Sequence, residues 1–126
     1  MGAYRILQSD PPATFERMRI WDLEPRFLCD RHLLGEHREL HAVWTVLSEG
    51  KRGYANHPET RRWRGRLAAL YARHELQVQE MQQRGFSHRS PLDPKLATGD
   101  SSQPELLDPL SVQRDRLRRR DCGCVA

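Results

Sequence analysis

Residues 25–50 read PRFLCDRHLLGEHRELHAVWTVLSEG. The stretch opens with a proline and closes on Glu49-Gly50, a pair that favours the end of a helix. Its large apolar side chains recur at spacings of three, four and seven residues, as on one face of an α-helix. These side chains are Phe27, Leu28, Leu33, Leu34, Leu40, Val43, Trp44 and Leu47. The stretch therefore predicts a long amphipathic helix.

A second helical pattern begins at Asn56-His57-Pro58-Glu59, where a polar cap, an early proline and an acidic first turn favour initiation. Gly85 fits the C-terminal cap of that helix. Its apolar stripe consists of Trp63, Leu67, Leu70, Tyr71, Val78 and Met81. A third, short helix is predicted within residues 105–118, and no segment alternates as a strand would. The prediction is an all-α, compact single-domain fold with two long helices.

Both flanks of this helical region differ from it in composition. We predict an N-terminal extension over residues 1–17, a helical domain over 18–91, and a Pro-rich, basic C-terminal tail over 92–126. Both flanks are expected to be mobile. Three cysteines are too few and too scattered for a disulfide framework. Cys122-Gly-Cys124 could belong to a metal or redox site, but we expect it to lie in a solvated tail.

Composition excludes several classes of protein. The chain has 126 residues, 37% of them apolar and 30% charged, which suffices for one domain with a modest core. No apolar run is long enough to span a membrane, and the N-terminus lacks a signal-peptide pattern, so we expect a cytoplasmic monomer. The formal net charge is +4, and arginine supplies every basic residue except Lys51 and Lys95. Arginine suits phosphate oxygens, which favours a nucleic-acid partner.

Polar residues interrupt the apolar stripe of the first helix at positions 35–39. At 3.6 residues per turn, three of the helix's polar side chains fall on one stripe: His32, Glu36 and Glu39. Gly35 costs the helix about 1 kcal/mol relative to alanine, which is understandable if a partner must approach the backbone. The cluster offers a general acid or base, or a carboxylate that stabilises a cationic sugar.

Several interpretations of this cluster stay open at the level of sequence. Arg31 and Arg38, seven residues apart on a neighbouring stripe, could hold phosphates. The same residues could instead form a solvated helix face joined by pairs three and four apart. His37 and His41 could also bind a metal with Glu36, as in a small helical metalloprotein.

Three motifs connect the chain to a known family. RHLLGEHREL at residues 31–40 resembles the HL-x-x-E-x-REL signature of the pyrimidine-dimer DNA glycosylases of the phage endonuclease V type. GYANHP at residues 53–58 resembles the GYxNHP element of bacterial members, and RGF at residues 84–86 resembles the end of their long helix. The resemblance runs from Met18 to about Pro91 and keeps the family's motif order.

The resemblance implies an all-α enzyme that cuts the glycosidic bond of a cyclobutane pyrimidine dimer and then nicks the backbone at the abasic site by β-elimination. It implies double-stranded DNA as the partner, no cofactor and no metal. Glu39 matches the catalytic glutamate. Arg38 and His32 match residues that contact DNA near the reaction centre, and Arg19 matches an arginine that grips the damaged strand.

The family's nucleophile is the α-amine of the chain terminus, which forms a Schiff base with the sugar. Its intrinsic pKa is about 7.7–8, against about 10.4 for lysine, so a useful fraction is neutral at physiological pH. Family members start at the position of Met18, which seventeen residues precede in this sequence. A noncatalytic helical DNA-binding module, with the basic face but without the terminal amine, is the alternative.

Overall fold

The computed structural model describes residues 19–120 and 122–124. Within these residues the chain forms four α-helices: α1 (Asp30–Glu49), α2 (Pro58–Trp63), α3 (Leu67–Gln83) and α4 (Leu110–Arg118). Short 3-10 turns occupy Pro25–Phe27 and Pro94–Leu96. The only β-pairing within the described residues is a single bridge between Arg66 and Gly99. The all-α prediction is confirmed, whereas the predicted extension over residues 1–17 and Met18 lie outside the described part.

The first predicted helix is α1, and its end agrees with the sequence pattern. Its start does not, because Phe27 lies in the preceding 3-10 turn and Leu28 is extended, so the helix begins only at Asp30. Gly50 takes a left-handed conformation with φ of 68°, and its backbone N–H donates to the Val46 carbonyl. No helix in the described ranges combines the length and the apolarity that a bilayer crossing requires.

The prediction of two long helices is confirmed by α1 and α3, but the second predicted helix starts later than its pattern indicates, because the chain leaves the helix between α2 and α3. Gly65 has a φ of +76°, which is favourable for glycine, and its carbonyl accepts a hydrogen bond of 2.9 Å from the Asp100 N–H. Gly99 approaches so closely that a Cβ there would lie 2.2 Å from the Gly65 oxygen. The predicted helix is therefore divided by a contact between Gly65 and Gly99, which lie 34 residues apart in the sequence. No local sequence pattern predicts this contact.

Two apolar clusters form the core between α1, α3 and their flanking segments. One contains Ile20, Leu40, Val43, Trp44, Trp63, Ala69, Leu70 and Leu92, and the other contains Trp21, Leu23, Leu28, Leu33, Met81 and Leu117. All three tryptophans are buried in these clusters, as the helical spacing indicates.

The C-terminal segment differs from the expected mobile tail. Leu92 and Leu117 are both buried in the core clusters. Gln113 of α4 is fully buried, and its amide group pairs with the backbone N–H and the carboxylate of Asp22. The Pro-rich composition suggests an unpacked tail, but a few apolar and amide side chains suffice to seat it on the domain.

Candidate functional site

Glu36 occupies the gap in the apolar stripe of α1, and its carboxylate is buried. Its Oε1 accepts hydrogen bonds from the Trp21 backbone N–H at 3.0 Å and from Arg73 at 3.1 Å. Its Oε2 accepts from Arg73 Nε at 2.7 Å and from the Gln77 amide. The interpretation as a solvated helix face is wrong for Glu36, because α3 covers this part of α1 with complementary polar groups.

Glu39 lies one helical turn beyond Glu36 and is half-buried. Its neighbour Arg38 is exposed, while Leu40 on the other side is fully buried. The ion pair between Glu36 and Arg73 fixes the rotation of α1 about its axis. Glu39 is thereby held at the boundary between the core and the exposed face that carries Arg38.

The first described residues of the chain are held against α2 by the side chain of Arg62. Arg62 Nη2 donates to the Ile20 carbonyl at 2.8 Å, and Arg62 Nη1 pairs with the Asp22 carboxylate at 3.0 Å. Arg62 is itself buried and paired with the fully buried Glu59 through its Nε at 2.5 Å. Sequence reasoning missed this pair, since both residues look like ordinary surface residues of a helix.

The predicted phosphate-binding arginines fall into two environments. Arg31 and Arg38 are exposed on α1, two turns apart. Arg19 is largely buried: it pairs with Asp108 at 2.9 Å, and its guanidinium lies 4.8 Å from the centre of the Trp21 ring. Its Nε is buried without a hydrogen-bond partner. Arg19 therefore ties the segment before Trp21 to the C-terminal part of the chain.

His32 lies in a cluster of sulfur atoms at the start of α1. Its Nδ1 is 3.2 Å from the Sγ of Cys29, 3.2 Å from that of Cys122 and 3.4 Å from that of Cys124. Burial lowers the pKa of His32, and the charges of Arg120 and Arg31 lower it further. The expectation of a solvated tail at Cys122-Gly-Cys124 is wrong, because both thiols contact α1.

A second cluster brings four imidazoles together between α1, α3 and the segment after Gly85. The sequence pointed to His37 and His41, but the structure adds His74 and His88. Burial is the main cause that lowers the pKa of His37 to about 4, against a hydrogen bond with Gln77 that raises it. Glu36 is not part of this cluster, because both of its oxygens are taken by other side chains.

Comparison with known protein families matches residues 18–94 to the family described as pyrimidine dimer DNA glycosylase. The matched region is more than half of the chain. The chain belongs to the pyrimidine dimer DNA glycosylase family. Membership implies a DNA glycosylase role with DNA as the substrate. Comparisons with curated proteins and with solved structures yield no match.

The match to the glycosylase family covers α1, α2 and α3 and begins at Met18. It therefore contains Glu39 and all four histidines of the second cluster. It stops at residue 94, so α4 and the two tail cysteines lie beyond it. The sulfur cluster thus joins a matched part of the chain to an unmatched one.

Proposed function

We propose that this glycosylase cuts the glycosidic bond of the 5′ base in a cyclobutane pyrimidine dimer and then nicks the resulting abasic site, through a Schiff base on the α-amine of Met18 and with the assistance of Glu39. The observation that carries the proposal is the family match, which starts at Met18 and contains the RHLLGEHREL motif. A chain that starts there presents its amine next to Arg19, the first residue of the described part.

The chemistry requires few groups. The neutral amine attacks the sugar C1′ and the bond from C1′ to the base breaks, so the base takes that electron pair and a proton and stays joined to its neighbour through the dimer. The nitrogen loses a proton, the bond from C1′ to the ring oxygen breaks as that oxygen is protonated, and the protonated imine results. Removal of a C2′ proton then breaks the bond between C3′ and its phosphate oxygen. A carboxylate at Glu39 stabilises the positive charge on the sugar and assists the proton transfers.

The geometry around α1 supports these roles. The Trp21 N–H lies 3.0 Å from Glu36, and Ile20 belongs to the same apolar cluster as Leu40. In the sequence, Met18 precedes Trp21 by three residues. Glu39 lies one turn from Glu36, about 5 Å along the axis. These contacts place the start of the described chain beside the part of α1 that carries Glu39, which supports a role for both in one site.

Access to C1′ within a duplex requires the damaged nucleotide to be unstacked or extruded, which costs less where stacking is already disturbed. The exposed guanidinium groups of Arg31 and Arg38 supply the phosphate contacts that hold the bent strand. We propose that Arg19 and the Nε2 side of His32 join them when DNA is bound.

Borohydride trapping by a chain that begins at Met18, on duplex DNA with a single cyclobutane dimer, tests the proposal. Borohydride reduces an imine to a stable amine, so an imine-forming enzyme becomes covalently attached to the damaged strand. We expect an adduct on dimer-containing and abasic duplexes and none on the undamaged duplex. Salt-sensitive binding to damaged DNA without adduct or strand cleavage would instead identify the noncatalytic DNA-binding module.

Single substitutions of the exposed arginines should change the salt dependence of DNA binding. Arg31→Ala and Arg38→Ala should each reduce the magnitude of the log–log slope of affinity against salt by about 0.9 for each phosphate that the side chain no longer neutralises. Fluorescence anisotropy at several salt concentrations measures the slope. Lys51→Ala, at the exposed C-terminal end of α1, is the control and should leave the slope unchanged. Unchanged slopes in both arginine variants would remove them from the interface.

A further inference from the structure

Four potential ligand atoms converge where the C-terminal segment meets the start of α1. They belong to Cys29, His32, Cys122 and Cys124, and all four lie within 4.8 Å of one another. The Nδ1 of His32 is 3.2–3.4 Å from the three sulfur atoms, and the sulfur atoms of Cys122 and Cys124 are 3.5 Å apart. No pair of these atoms is bonded covalently, since all three cysteines are free.

These separations are close to the edges of a zinc coordination tetrahedron. With Zn–S near 2.3 Å and Zn–N near 2.0–2.1 Å, neighbouring ligand atoms in a tetrahedron are about 3.5–3.8 Å apart. The Cys29 backbone N–H also donates to the Cys124 sulfur at 3.0 Å, the kind of outer contact that supports a thiolate ligand. Hydrogen bonds between thiols would not by themselves explain why three sulfur atoms surround one imidazole nitrogen, whereas coordination of a shared metal ion does.

We propose that Cys29, His32, Cys122 and Cys124 form a structural Cys3His zinc site. Four protein ligands close the coordination shell and leave no position for water or substrate, as in structural sites. The ion would pin residues 122–124 to the start of α1. It would also hold the basic end of the chain near Arg31, since Arg120 is already close enough to act on His32 electrostatically.

Zinc analysis of the whole chain, purified under reducing conditions without chelator and saturated with Zn²⁺, tests this site. A mercurial reagent displaces zinc from thiolates, and a colorimetric indicator counts the released ion. We expect one zinc per chain to be released from the wild type and none from Cys124→Ser. Cys124→His, which keeps a ligand at that position, should retain mercurial-releasable zinc through the two remaining thiolates.

A measurement on the unaltered chain guards against variants that fail to fold. Co²⁺ added to the metal-free protein should produce the near-ultraviolet thiolate-to-cobalt charge-transfer band, and Zn²⁺ should abolish it by displacement. Absence of that band, or release of zinc from Cys124→Ser equal to that from the wild type, would overturn the proposal.

A second candidate metal site rests on a different observation, the cluster of His37, His41, His74 and His88. The Nε2 atom of His37 is 3.2 Å from that of His41 and 3.1 Å from that of His88. The Nε2 atoms of His41 and His74 are 3.3 Å apart. An N4 tetrahedron with metal–nitrogen distances near 2.0–2.1 Å has edges of about 3.3–3.4 Å, close to all three separations.

The hydrogen bonds behind the cluster determine which ring nitrogens face its centre without a proton. The Gln77 amide nitrogen donates to the Glu36 carboxylate, so its oxygen points to His37 and accepts from Nδ1 at 2.8 Å. His74 Nδ1 likewise donates to the Glu75 carboxylate at 2.8 Å. His37 and His74 therefore both direct an Nε2 lone pair inward, the arrangement in which outer hydrogen bonds orient metal-binding imidazoles.

We infer that His37, His41, His74 and His88 bind one divalent transition-metal ion through their Nε2 atoms, with Zn²⁺ as the probe. A metal ion can accept all of the lone pairs that converge at the centre of the cluster. Hydrogen bonding cannot, because His41 Nε2 has at most one proton to donate to the two neighbouring Nε2 atoms of His37 and His74. The site would join α1 to α3 and to the segment after Gly85. It would thereby hold in place the helix that carries Glu39.

The mercurial reagent does not displace zinc that is bound only by imidazoles. The amount of zinc that remains on the protein after this treatment therefore measures the occupancy of the second site. We expect one such zinc per wild-type chain, the same in Cys124→Ser, and none in the double variant His41→Ala and His88→Ala. His57→Asn is the matched control, because His57 lies outside both clusters and asparagine can replace its role as the cap of α2. Far-ultraviolet circular dichroism checks that the helices persist.

Cys124→Ser also allows a test with all four histidines intact. Co²⁺ should give it the visible absorption of a tetrahedral nitrogen-ligated ion without the thiolate band. No visible band with Co²⁺, or mercurial-resistant zinc that persists in the double histidine variant, would overturn the assignment.

Discussion

Glu39→Gln is expected to slow cleavage of the glycosidic bond in dimer-containing DNA by about 10²–10³-fold, equivalent to about 2.7–4 kcal/mol in the activation barrier. The amide keeps the size of the side chain but removes the negative charge that stabilises the cationic sugar and the base that moves protons. Single-turnover cleavage of a duplex with one dimer measures the rate. DNA affinity and the far-ultraviolet spectrum should remain close to those of the wild type.

Glu49→Gln provides the matched control for that experiment. Glu49 lies on the same helix, about 15 Å beyond Glu39 along the axis, and its exposed carboxylate pairs only loosely with Lys51 at 3.6 Å. The control variant should cleave at the wild-type rate. If Glu39→Gln retains a tenth or more of the wild-type rate, Glu39 does not have the proposed role.

A chain that begins at Met18 is expected to form the borohydride-trapped adduct at least ten times faster than the 126-residue chain. An amine must approach C1′ to about 3–3.5 Å in order to react, and seventeen preceding residues convert the amine of Met18 into an amide. Trapping kinetics compare the two chains, and peptide mapping of the adduct should place the DNA on Met18.

Chemical blocking of the terminus gives this prediction its control. Acetylation of the α-amine in the chain that begins at Met18 should abolish trapping while leaving DNA binding largely intact. Equal trapping by both chains, with the adduct on Gly2 or Lys51, would show that Met18 is not the nucleophile. The glycosylase proposal itself would survive that result, because the adduct would still have formed through an imine.

Local pattern predicted α1 well because its signals are all contiguous. Apolar spacing and a terminal glycine act through neighbouring residues, so the sequence contains what defines the body and the end of the helix. The break at Gly65 was missed because its cause is the backbone near Gly99 and Asp100. A glycine within a helical pattern does not reveal whether a distant segment of chain will pair with it.

In the candidate site, too, contiguous motifs could be recognised in the sequence, whereas contacts between distant segments could not. Motif resemblance pointed to Glu39, Arg38 and Met18, which occupy family positions along one stretch of chain, and their catalytic roles stay predictions. Burial of Glu36 by Arg73 and Gln77 could not be foreseen, since charged residues on α3 look solvated in the sequence. Arg19 illustrates the same limit, because its ion pair with Asp108 spans 89 residues.

By itself the sequence determined the helical class, the end of α1, and the family, because these depend on periodicity and on contiguous motifs. Only the tertiary structure decided which polar residues meet. Cys29 and His32 join Cys122 and Cys124 across about ninety residues, and the four-histidine cluster draws on positions from 37 to 88. Such convergence results from how α1, α3 and the C-terminal segment pack, and packing of distant segments leaves no period in the sequence that could be recognised in advance.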